Sequence, residues 1–203
     1  SSARLGQWSI IMTAALFFPW LSVLSVAKPQ AAVPVLASSS DSRSFKLAAF
    51  GGVILIIASF IFLPAWPSSW LANIQAARYM DAPITRAWGF LIPLAFIRWR
   101  RPEAWLLVAT ACMPQSWGWY GTLALFTIPA TFAESVFLAG TATVGGAIFT
   151  TTMPSAASMG AFMSWLDNLL LVTIYLPVTV LVLRRPNEGP SIAWLRMFQR
   201  TRG

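Results

Sequence analysis

The chain has 203 residues, of which 57% are hydrophobic and only 10% charged, and its net charge is +8. A soluble domain carries about 25% charged residues, so this composition excludes an ordinary water-soluble globule and makes an integral membrane protein the default class. The absence of histidine and the single cysteine, Cys112, exclude imidazole-held haem, zinc or copper, thiolate clusters and intrachain disulfides; no metal and no cofactor are expected.

Trp8 to Ala27 is an apolar run of about 20 residues with tryptophan near each end, the length and flanks of one spanning helix. It has no small-residue cleavage site followed by a soluble domain and is not a signal peptide. Lys28-Pro29-Gln30 ends it. Ala31 to Ala37 is apolar but too short to span alone, and Ser38 to Lys46 is a polar loop. Leu47 to Leu63 predicts a second span. In the segment that follows, Trp66 and Trp70 suit a headgroup interface, and Leu71 to Met80 suits an amphipathic helix lying flat.

The middle of the chain is interrupted. Trp88 to Ile97, Ala104 to Met113 and Thr122 to Ile128 are apolar but short, and they are separated by Arg98-Trp99-Arg100-Arg101 and by Met113-Pro114-Gln115-Ser116-Trp117-Gly118-Trp119-Tyr120. Short crossings need protein or water around the broken backbone, so this third is expected to line a cavity inside a bundle. Ser135 to Thr151 is longer and rich in Gly and Ala, which lets helices approach closely. Phe162 to Leu183 is the last predicted span, closed by Arg184-Arg185.

The expected fold is therefore all-α: a polytopic membrane helix bundle with about seven crossings and short or broken middle helices. Residues 1–189 form one transmembrane domain and residues 190–203 a basic cytoplasmic tail. Alternating the runs places Lys28, Arg43, Lys46, Arg98, Arg100, Arg101, Arg184, Arg185, Arg196, Arg200 and Arg202 on one side, eleven of the fourteen basic residues. The positive-inside rule makes that side, and the C-terminus, cytoplasmic. Arg4, Arg78 and Arg86 remain opposite. Ala130 to Glu134 falls on the basic side without a basic residue of its own. The charge flanks apolar runs rather than forming a polar basic stripe, so nucleic acid is not an expected partner.

Several side chains are candidates for chemistry. Lys28 suits a lipid phosphate as a point charge, or it is an orientation charge that snorkels to the headgroups. Arg98, Arg100 and Arg101 suit an anionic lipid or pyrophosphate, or serve as a positive-inside anchor. Gln115, Trp117, Trp119 and Tyr120 combine aromatic faces with an amide, as sugar or prenyl binding requires, and an aromatic belt uses the same residues. Among the carboxylates, Asp81 is expected in an exposed external loop. Glu134 is expected to cap a helix in a T-x-x-E box with Thr131. Asp167 is either an intramembrane functional group or a helix-terminus partner. No predicted span carries a clear buried charge pair, which argues against a transporter.

Five stretches taken together resemble a family. They are Lys28 to Leu36 (KPQAAVPVL), Leu63 to Leu71 (LPAWPSSWL), Arg98 to Leu107 (RWRRPEAWLL), Met113 to Leu125 (MPQSWGWYGTLAL) and Tyr175 to Gly189 (YLPVTVLVLRRPNEG). In order and spacing they resemble the C-terminal half of bacterial polyprenyl-phosphate-sugar-dependent glycosyltransferases of the GT-C fold class, in the mannosyltransferase-like family with Lys-Pro-Gln after one helix. The resemblance implies a bacterial inner-membrane protein that takes sugar from a polyprenyl-phosphate carrier at the external face, with Lys28, Gln30, Gln115, Trp119 and Tyr120 near substrate or lipid. It implies a catalytic carboxylate in an early external loop, expected upstream of Ser1. Two positions depart from the family's pattern: Ile128-Pro129 is followed by ATFAES rather than basic residues, and Tyr120 by Gly121 rather than an acid or amide. The alternative is a non-catalytic scaffold subunit with other membrane proteins as partners.

Overall fold

The computed structural model describes residues 3–76, 81–114, 118–152, 158–189 and 192. The described residues are 80% helical, with no strand among them. The α-helices are α1 (Ala3–Ala14), α2 (Pro29–Ser38), α3 (Ser42–Phe62), α4 (Trp66–Ala76), α5 (Pro102–Cys112), α6 (Phe132–Thr152) and a last helix over Met159–Leu183. Between them run 3₁₀ segments at Pro19–Ala27, Pro83–Thr85, Gly89–Arg98 and Gly118–Thr127. Three helices, α3, α6 and the last, are long and apolar enough to cross a membrane, as expected of a membrane-embedded chain. The basic tail lies outside the described residues except for Ile192, which is fully buried.

The expected single span over Trp8 to Ala27 is not formed. The helix α1 stops at Ala14, a turn follows, and a 3₁₀ segment starts at Pro19. Proline has no N–H to donate and its ring conflicts with the carbonyl four residues back, so an α-helix cannot run through Pro19 undisturbed. The chain folds back there. Lys28 Nζ donates to Ser9 Oγ at 2.7 Å across 19 residues, which a straight helix would hold about 28 Å apart.

Element ends gather at one level, here called the base. The close of α1, the start of the Pro19–Ala27 segment, the close of α2, the start of α3, the start of α5 and the end of the Gly118–Thr127 segment all line one hollow of about 310 Å³. Arginines tie the remaining ends to it. Arg98 donates to the Leu183 carbonyl from Nε (3.2 Å) and Nη2 (3.0 Å), satisfying the C-terminus of the last helix. Arg101 Nε donates to the Pro186 carbonyl at 2.6 Å. Arg185 donates to Glu103 Oε1 (2.9 Å), Glu134 Oε2 (2.5 Å) and the Ile128 carbonyl (2.9 Å). The Ala130 to Glu134 stretch, which has no basic residue of its own, thus receives its cation from Arg185. The T-x-x-E expectation holds in geometry: the Glu134 N–H donates to Thr131 Oγ1 at 3.2 Å, and Glu134 Oε2 accepts from the Ala130 N–H at 2.7 Å.

The core surrounds α5. Ile92, Ala95, Leu107, Ala111, Leu125, Leu171, Ile174, Tyr175 and Val178 are fully buried in one cluster. The last helix contains a π turn at Leu171–Tyr175 just ahead of Pro177, whose missing N–H interrupts the α ladder. At Gly51, a Cβ would collide with the Val23 carbonyl oxygen, so glycine is what lets α3 press its backbone on the Pro19–Ala27 segment.

Candidate functional site at two hairpin tips

The shared base makes two pairs of elements into hairpins. The Pro19–Ala27 segment leaves the base and α2 returns to it. The ten residues of α2 rise only about 15 Å, so Lys28 at the turn stands about that far above the base. Likewise α5 leaves the base and the Gly118–Thr127 segment returns. Its eleven α-helical residues rise about 16 Å, and the ten 3₁₀ residues about 20 Å. By contrast α3, with 21 residues, is about 31 Å long. Both hairpins turn back near half of that length.

The tips meet. Helices α2 and α5 pack side by side and antiparallel, and α1 packs along the Gly118–Thr127 segment. Lys28 at the N-terminus of α2 therefore lies at the same end of the α2–α5 pair as Met113, the C-cap of α5. The Ala31 and Ala32 N–H groups donate to the Lys28 carbonyl, and Pro29 occupies the first helical position, where no N–H is needed. Lys28 is half-buried and held by Ser9, while Gln30 is exposed. Tyr120 is exposed at the second tip. Gln115 and Trp117 lie outside the described residues, as does the Trp119 side chain. A primary ammonium at a helix N-terminus combines a point charge with the positive end of the helix dipole, a setting that favours an anion.

The arginines of Arg98-Trp99-Arg100-Arg101 are not at these tips. They stand at the base, where Arg98 and Arg101 hold backbone carbonyls of the 183–186 stretch. The Arg100 guanidinium lies 5.3 Å from the Trp99 ring centroid, and the Arg100 backbone N–H donates to Asn187 Oδ1 at 3.1 Å.

A second polar centre stands away from the base, and sequence reasoning missed its key residue. Asp167 is 2% exposed and its Oδ2 accepts from Arg86 Nη2 at 2.6 Å. Arg86 Nη1 donates to Ser164 Oγ at 2.9 Å and lies 3.3 Å from Asp81 Oδ2. The expectation that no span carries a buried charge pair is therefore corrected, and Asp167 pairs with a side chain rather than a helix terminus. The signal was available: a carboxylate inside an apolar helix needs a cation, and only Arg4, Arg78 and Arg86 were assigned to the side away from the base. Asp81 is exposed as expected, but it shares Arg86.

Hollows of about 440 and 470 Å³ lie elsewhere, one between α6 and the last helix near Arg184 and one at Phe62–Trp70 under the α4 tryptophans. No group of three or more potential metal ligands occurs among the described residues. No family model, curated protein or solved structure matches the chain.

Proposed function

We propose that the chain is the membrane-embedded part of a lipid-linked sugar transferase, and that Lys28 holds the phosphate of a polyprenyl-phosphate carrier. The observation that carries this reading is the place of Lys28: a half-buried ammonium at the N-terminus of α2, about 15 Å above the base, which is half of a roughly 30 Å hydrocarbon layer. Backbone that turns at such a depth needs a protein or polar lining, and the tips supply one. The carrier's prenyl tail stays in the apolar surroundings while its phosphate reaches the cation. Tyr120, exposed at the second tip, is the side chain offered to the sugar; the substrate contacts expected of Gln115 and Trp119 fall on side chains outside the described residues. The reaction is glycosyl transfer with a carboxylate contributed from outside this chain's described residues.

In this reading the base is cytoplasmic, because Arg43, Lys46, Arg98, Arg100, Arg101, Arg184 and Arg185 gather there. The C-terminus is cytoplasmic too, and the membrane is the bacterial inner membrane. The seven expected crossings become four traverses, made by α3, residues 81–98, α6 and the last helix, together with α1 and two hairpins that turn at mid-depth.

The test is native mass spectrometry of the full chain in neutral detergent with added polyprenyl phosphate. Lys28→Ala is expected to lower retention of the carrier at least about tenfold, the loss of one charge-assisted contact, and Lys28→Arg to keep part of it. Equal retention by wild type and Lys28→Ala sinks the reading.

A scaffold role is the second reading. It is favoured by α6, where a Cβ at Gly140 or Gly146 would meet nothing within 4 Å, leaving room for a partner helix. Crosslinking from Gly146→Cys in native membranes to another protein, with no carrier bound at Lys28, would select it.

A further inference from the structure

The basic end of the bundle carries a groove that the carrier reading does not use. It lies between the first turns of α6 and the last turns of the last helix, has a volume of about 440 Å³, and is lined by Thr131, Ala133, Phe137, Val180 and Leu181 together with Arg184 and the paired Glu134 and Arg185. That volume is within the range of small-molecule sites. Its walls are of two kinds. Phe137 is 46% and Val180 50% exposed, so one wall is apolar and faces outward, toward lipid. The other is polar, made of Arg184 and the Arg185–Glu134 pair.

Of the two cations that line the groove, one is left without a partner among the described residues. Arg185 and Glu134 satisfy each other, and Arg185 also holds Glu103. Arg98 and Arg101 are engaged on carbonyls of the 183–186 stretch. Arg184 is exposed, and its guanidinium has no hydrogen-bond or ion-pair partner among the described residues. It opens onto the N-terminus of α6, a 21-residue helix whose dipole presents its positive end there. A guanidinium beside a helix N-terminus suits a phosphate, which it can bind through two donors. An apolar wall beginning at the same point suits the chain attached to that phosphate.

We propose that this groove holds an anionic glycerophospholipid, with its phosphate on Arg184 at the N-terminus of α6 and the start of one acyl chain on Phe137, Val180 and Leu181. The occupant is a bilayer lipid rather than a free phosphate because the apolar wall continues along the exposed faces of Val136, Phe137 and Val180. The site stands or falls independently of the carrier site at Lys28.

The experiment mixes the full chain in neutral detergent with equal amounts of phosphatidylglycerol and phosphatidylcholine and counts retained lipids by native mass spectrometry. Wild type is expected to retain phosphatidylglycerol preferentially. Arg184→Gln should lower that retention about tenfold, as for one charge-assisted contact, without changing the small amount of phosphatidylcholine. Val180→Trp, which fills the groove, should lower it as well, and glycerol phosphate should not displace the lipid. Equal retention of the two lipids, or an Arg184→Gln protein that keeps phosphatidylglycerol like wild type, overturns the proposal. Displacement by glycerol phosphate at the lipid's own concentration overturns it too, because the apolar wall would then contribute nothing. Arg184 is exposed, so that variant is expected to fold, and it decides the matter if Val180→Trp does not.

Discussion

The last helix and α3 are both long and apolar, yet 72% of the most apolar window of the last helix is buried in the bundle, against 11% for α3. Greasiness does not separate them. What does is the kind of residue each puts against protein. The last helix buries Asp167, Thr173, Tyr175 and Thr179. The helix α3 turns Phe50, Val53, Ile57, Phe60 and Ile61 outward and touches the bundle closely through Gly51. In a bilayer the outside is as apolar as the inside, so polar and small residues, not large hydrophobic ones, mark the protein-facing side.

The comparison is most strongly tested at Asp167. Removing its carboxylate leaves Arg86 buried without its closest counter-ion, and breaking such a pair costs about 3–5 kcal/mol. Asp167→Ala is therefore expected to collapse the unfolding midpoint in a mixed-micelle denaturation series. Asp81→Ala removes an exposed partner of the same arginine and should cost no more than about 1 kcal/mol. Equal losses would mean that the last helix is not interior.

Truncations on the two helices sharpen the contrast further. Ile174 is fully buried and Ile57 is 57% exposed. Ile174→Ala should cost about 2–5 kcal/mol through the cavity it leaves, while Ile57→Ala should stay within about 0.5 kcal/mol. The smallest change tested is a single methyl group. Gly51→Ala drives a Cβ into the Val23 carbonyl and should cost about 1–3 kcal/mol as overpacking, whereas Gly146→Ala meets open space and should be near neutral in the same assay.

Much of the fold was legible because length and hydropathy locate long helices well. Leu47 to Leu63, Ser135 to Thr151 and Phe162 to Leu183 correspond to α3, α6 and the last helix. Of the cations expected together on one side, Arg98, Arg101 and Arg185 do meet at the base, whereas Lys28 stands at a hairpin tip away from it. What was not legible is where a chain turns back. Trp8 to Ala27 has the composition of a span, and only Pro19 hints at the reversal. The Thr131–Glu134 cap is local and was readable. The Arg86–Asp167 pair joins residues 81 apart, and no local pattern reports such a contact. For the candidate site, Lys28 stood out by charge, but its depth came from α2 ending beside the start of the Pro19–Ala27 segment.

Arg185 also sets an order of events during synthesis. Its guanidinium is what joins Glu103, the Ile128 carbonyl and Glu134 into one floor. Glu103 is made 82 residues earlier, which at typical elongation rates is about 4–16 s before its partner emerges. Through that interval two carboxylates and the ends of three helical elements stand without their common cation. The floor closes only once the last helix has been delivered, so this end of the bundle is completed last.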